Sequence, residues 1–182
     1  MTAAPPQPDL RLARLVGRDN YYEDFAPGAL YRHQRGKTLT ALDNLWLTHA
    51  TMNTAEAHFN EDMMRTRGFG TVPSGGGILV YGGASFSLVC GLAQQDCCEQ
   101  ALSERAIHSI ALKAPVAHGD TLYAVSEVLA KAPDDKRADA GCVTFKHYGI
   151  NQKDELVLEL VREVVLKRRS HWLPEDPKES EA

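Results

Sequence analysis

The chain has 182 residues, 43% of them hydrophobic and 24% charged, with a formal net charge of -4 at pH 7. That length suits one domain with a real core, and the acidic balance argues against nucleic acid as a partner, since a phosphate backbone asks for a clustered basic surface. The single basic run, Lys167-Arg168-Arg169, is short and reads as the solvated end of a strand. Cys90, Cys97, Cys98 and Cys142 contain no CxxC pair and read as reduced thiols. No signal-peptide core and no run of about 20 apolar residues is found. The expectation is a cytoplasmic protein without a membrane partner.

Residues 1–20 carry Pro5, Pro6 and Pro8 and build no apolar period, so they are expected to be a flexible lead-in. Ala29 to Arg35, after the Pro27-Gly28 turn, predicts a first strand that runs on as extended chain to Thr40. Thr40 has the chemistry of a helix N-cap with Asp43 at the capping-box position, and apolar residues then recur at three and four through Leu42, Leu45, Trp46 and His49. Asn53 to Asn60 reads as a polar loop, and Glu61 to Arg67 as a short helix ending at Gly68. Pro73 to Gly77 leads into an almost continuous apolar stretch, Ile78 to Leu92. Its glycines cost about 1 kcal/mol each in a helix relative to alanine, yet its length fits a buried central helix better than a strand. The second half reads as four strands: 106–113, 121–131, 142–150 and 156–168, joined by short turns. A helix-rich first half followed by antiparallel strands means an α+β domain over residues 21–169. A polar tail, 170–182, is expected to be disordered.

Two features carry chemistry. His58, in the polar loop, is a candidate general base because imidazole titrates near neutrality; alone, it reads first as a loop histidine bonded to backbone. A glycine-rich helix start offers free N–H groups and a positive dipole end to a developing oxyanion, while tight packing is the competing reading. The run is not a P-loop, because no Gly-Lys-Ser/Thr follows, and no βαβ unit makes it a dinucleotide site. The remaining histidines have no company that suggests a metal, and none is expected.

Four segments in order resemble the MaoC-like hydratases: Tyr21 to Gly28 (YYEDFAPG), Asn53 to Phe59 (NTAEAHF), Pro73 to Gly77 with the apolar helix behind it, and Ala114 to Leu122 (APVAHGDTL). The resemblance spans about residues 21–169. It implies a hot-dog fold, an antiparallel sheet wrapped around one apolar helix, in a homodimer or dimer of dimers that hydrates enoyl-CoA, with CoA as part of the substrate and no separate cofactor. It also implies His58 as the catalytic histidine, Gly77 as the glycine whose N–H polarises the thioester carbonyl, and Ser85 as the helix serine. Where the family carries a catalytic Asp, this chain has Asn53, which orients water but cannot take its proton as a carboxylate does. Asn there resembles the mesaconyl-, itaconyl- and methylmalyl-CoA hydratase branch, which implies a short branched or dicarboxylic acyl group. Arg65 and Arg67 are the candidate contacts for its carboxylate, and Glu56 and Asp43 are candidate acids in place of the missing Asp. Two other functions stay open: a hot-dog acyl-CoA thioesterase, and a non-catalytic subunit that binds acyl-thioesters.

Overall fold

In a computed structural model of the protein, residues 7–15, 20–67 and 77–172 are described. The Val-, Leu- and Thr-rich second half forms four long strands: β3 (Ala101–Leu112), β4 (Thr121–Pro133), β5 (Ala140–Asn151) and β6 (Leu156–Lys167). Ahead of them come β1 (Arg14–Leu15) and β2 (Leu30–Thr38), and the sheet order is β1-β2-β4-β5-β6-β3. Every pairing is antiparallel except the short parallel contact of β1 with β2. The helices are α1 (Ala41–Ala50), α2 (Glu61–Arg67), α3 (Gly82–Cys98) and the single turn α4 (Arg169–Trp172). The sheet curls about α3, the α+β hot-dog arrangement expected from the sequence. Of the two ends expected to be loose, Arg14 and Leu15 join the sheet and Trp172 donates a hydrogen bond to the Asp139 carbonyl. Residues 1–6 and 173–182 lie outside the described part, as do Gly68 and the quoted motif residues Pro73 to Gly76.

The central helix begins later than its apolar run suggests. Leu79 is drawn into an isolated bridge with Ala117, and the Val80 amide donates to the Val116 carbonyl, so Ile78 to Tyr81 is extended chain. A continuous apolar stretch does not distinguish strand from helix, and here it supplies four residues of one and then the other. Helix α3 continues to Cys98, past Gly91. Its buried face, with Val89 and Leu92, packs on Leu122, Ala124, Leu158 and Leu160 of the sheet. The sheet leaves no room for a side chain at Gly149, where a Cβ would stand 2.7 Å from Val89 Cγ2 and 2.9 Å from Leu158 Cγ. Both neighbours are fully buried. Gly149→Ala is therefore expected to lower unfolding free energy by about 1–3 kcal/mol through overpacking, read as a lower urea midpoint with an unchanged slope. All four cysteines are free, and burial pushes the Cys97 and Cys98 thiols up, as expected of inert core thiols.

A polar chain crosses the core beside the far half of α3. Arginine has no acceptor, so Arg162 Nε must donate to His147 Nε2 (2.8 Å). That leaves the proton of His147 on Nδ1, from which it donates to Ser126 Oγ (2.5 Å). The Ser126 hydroxyl donates to His33 Nε2 (2.7 Å), and His33 Nδ1 donates to Asp96 (2.7 Å). Both imidazoles are neutral: burial lowers the pKa of each, and for His147 the Arg162 charge lowers it further. The unfolded histidines titrate near 6.5, while the folded ones take up protons only at lower pH. Their contribution to stability is thus present above about pH 6.5 and lost as pH falls below it. The expected result is a urea midpoint that drops between pH 7 and pH 5, and drops less in His147→Gln.

Candidate active site

The site forms where the His58 turn meets the entry to α3. Glu56–His58 is one turn of 3-10 helix. The Leu79 amide donates to the Ala57 carbonyl (3.1 Å), and His58 Nδ1 lies 2.9 Å from the Leu79 carbonyl. A carbonyl can only accept, so Nδ1 carries the hydrogen and Nε2 is the basic nitrogen. The imidazole ring also packs against Tyr81, with centroids 5.4 Å apart.

The organising residue is Asn44, in the middle of α1 and fully buried. Its Nδ2 donates to the His58 carbonyl (2.9 Å) and to His118 Nε2 (3.1 Å), and its Oδ1 accepts from the Tyr81 amide (2.8 Å). One side chain therefore ties together the histidine turn, the helix entry and the 117–120 turn. The last of these is closed by Asp120 Oδ2, which accepts from the Ala117 amide (2.8 Å). Asn44 was not singled out from the sequence. Asparagine is disfavoured inside a helix, and its pairing with Thr48 four residues on was the signal that could have found it. Leu42 and Trp46 of the same helix face outward instead, 74% and 68% exposed, while Leu47 packs on the core.

At the start of α3, the Ala84 and Ser85 amides bond back to the Tyr81 carbonyl, while the Gly82 and Gly83 amides carry no hydrogen bond among the described residues. A Cβ on Gly82 would run into Leu112, and one on Gly83 into the Tyr81 ring. Glycine at both positions lets these side chains close against the helix entry, where the two amides have no intrahelical partner. His58, Gly82, Gly83 and the buried Ser85 all line one cavity of about 690 Å³, a size that suits a small-molecule ligand. The rest of its wall is chiefly apolar, from Phe86, Ile110, Leu112, Val116 and Val157.

The other expected residues fall elsewhere. Gly77 lies five positions before the first helical residue and does not line the cavity, because the helix starts at Gly82; the free amides belong to Gly82 and Gly83. Asn53 does not line it either, and its Oδ1 accepts from the Ala55 amide (2.9 Å), which shapes the loop. Glu56 bonds Asn60, and Asp43 caps α1 and pairs with Lys37, so neither acid reaches the cavity. Arg65 and Arg67 sit exposed in the last turn of α2, away from the cavity wall; the cation in that wall is Lys113. Among the described residues no three His, Cys, Asp or Glu side chains are placed to hold a metal ion, and no helix is long and apolar enough to cross a membrane.

A sheet rolled on one buried helix, with a histidine and free glycine amides at the helix entry, is the hot-dog fold of MaoC-like proteins. A putative MaoC domain protein dehydratase from Chloroflexus aurantiacus superposes with a TM-score of 0.74 at 28% identity, over 84% of this chain and 46% of that one. A Mycobacterium tuberculosis protein described as a double hot-dog fold superposes at 0.72 and 22% identity, again over 46% of its length. The family model for mesaconyl-CoA hydratase matches residues 16–168, and the chain belongs to that family. It is 33% identical over 158 residues to the mesaconyl-CoA hydratase of Haloarcula marismortui, covering 81% of this chain. It is also 33% identical over 131 residues to the beta-methylmalyl-CoA dehydratase of Chloroflexus aurantiacus, covering 72%. The chain spans 42% and 35% of the lengths of these two relatives.

Proposed function

We propose that the chain is a hydro-lyase that reversibly adds water across the double bond of an enoyl-CoA thioester with a short branched or dicarboxylic acyl group. The observation that carries this reading is the shared cavity, with an imidazole whose Nδ1 is tied to a carbonyl on one side and two unbonded amides on the other. In the hydration direction His58 Nε2 takes a proton from water, and the hydroxyl adds to the β carbon. The thioester becomes an enolate whose oxygen is held by the Gly82 and Gly83 amides, with the Ser85 hydroxyl close by in the same wall. The imidazolium then returns the proton to the α carbon, so one base serves both transfers. Asn53 acts on this scheme through the shape of the histidine loop. The reading places the protein in the cytoplasm and asks for no separate cofactor, CoA entering only as part of the substrate.

A thioesterase is the weaker reading, since no carboxylate lines the cavity among the described residues. The proposed assembly is a homodimer. Strand β3 is a free edge with Ile107, Ile110 and Leu112 about half exposed, and two of these form the cavity wall, so a second copy paired along β3 closes the site. Incubation with a panel of straight, branched and dicarboxylic enoyl-CoAs, read by mass, tests the function. The expected product is an intact thioester heavier by one water. Release of free CoA would make the protein a thioesterase, and silence across the panel would leave a binding subunit.

A further inference from the structure

We propose that Lys113 is the residue of this cavity that receives an oxyanion of the thioester substrate, either the acyl carboxylate or a phosphate of CoA. This rests on the hydratase reading of the same site. Among the described residues that line the cavity, Lys113 is the only one whose side chain is permanently charged, and its backbone is pinned at the end of β3 by a hydrogen bond from its amide to the Val157 carbonyl (2.8 Å). The side chain is 40% exposed and pairs with Glu159 Oε2 at 3.0 Å. Glu159 does not depend on it, because Lys146 also pairs with Glu159 (Oε1, 3.0 Å) and Gln7 donates to the same carboxylate. Burial pushes the Glu159 carboxyl up, and the hydrogen bonds from Gln7, Lys113 and Lys146 more than reverse this, to about 2, so it stays ionised. Two ammonium groups thus face one carboxylate. Lys113 can turn to a substrate anion while Lys146 keeps Glu159 neutralised, and its flexible four-carbon stem lets it do so from the rim. Arg65 and Arg67, away from the wall, leave this task to Lys113.

Kinetics of the full chain with three thioesters test the assignment: mesaconyl-CoA bears carboxylate and phosphates, crotonyl-CoA only phosphates, and crotonyl-pantetheine neither. In Lys113→Met the expected result is a KM raised about tenfold or more on anion-bearing substrate relative to crotonyl-pantetheine, with kcat changed by less than about twofold, as for the loss of one charge-assisted contact. Lys113→Arg is expected to recover most of this, and Glu159→Gln, which frees the ammonium, to lower KM or leave it. A loss confined to mesaconyl-CoA identifies the acyl carboxylate; a loss on both CoA esters identifies a phosphate. An equal loss on all three substrates, or none, would overturn the proposal. If the unaltered protein hydrates no thioester, the hydratase reading fails by itself. Calorimetric titration with mesaconyl-CoA and with CoA then decides on Lys113, weaker binding to Lys113→Met upholding it and equal binding overturning it.

Discussion

His58→Ala is expected to lower the hydration rate by about a hundredfold or more while the protein remains folded, since a positioned acid or base contributes about 10²–10⁴ in rate. The reason lies in the tautomer. The Leu79 carbonyl holds the hydrogen on Nδ1, and that leaves Nε2 as the atom able to take a proton from water. With no carboxylate in the cavity wall, nothing in the described structure substitutes for it. Steady-state rates on the enoyl-CoA that the unaltered protein hydrates fastest, with circular dichroism as the control for folding, check this. A variant with full rate would remove His58 from the chemistry.

Asn44→Ala is expected to damage stability and rate together. Truncation strands the Tyr81 amide and the His58 carbonyl, which have Asn44 as their partner at 2.8 and 2.9 Å. A buried polar group left without a partner costs about 1–3 kcal/mol, so two of them make this one of the more destabilising single changes in the chain. Losing the tie between the histidine turn and the helix entry also loosens the base against the amides, and misplacement of about 1 Å can cost two orders of magnitude in rate. Urea unfolding and kcat on the same preparation test both halves. A variant with wild-type midpoint and wild-type kcat would show that Asn44 organises nothing.

The parts of the fold legible in the sequence are those set by local chemistry. Thr40 and Asp43 form the expected capping box, with Asp43 Oδ2 accepting from the Thr40 amide at 2.9 Å, and α2 covers Glu61–Arg67 as its pattern predicts. Enrichment in Val, Leu, Ile and Thr located β4 to β6 to within two residues at each end, while β3 starts at Ala101, ahead of the expected 106. Long-range contacts decided the rest. Nothing local in Ile78 to Tyr81 announces that Ala57, Val116 and Ala117 pair with it and delay the helix to Gly82. The periodicity of α1 was legible, but not its direction: the helix turns Asn44 and Thr48 inward with Leu47, because Asn44 finds the His58 carbonyl, His118 and the Tyr81 amide beneath it. His58 came from a motif resemblance, whereas Gly82, Gly83 and Lys113 became visible only once the cavity had walls.

The central claim is that one thioester lies between His58 and the first turn of α3. A crystal structure with a saturated acyl-CoA, which cannot be hydrated, tests this most directly. The expected complex has the thioester oxygen within hydrogen-bond distance of the Gly82 or Gly83 amide and His58 Nε2 facing the β carbon. An acyl chain bound outside this cavity, or an imidazole turned away from it, would contradict the account.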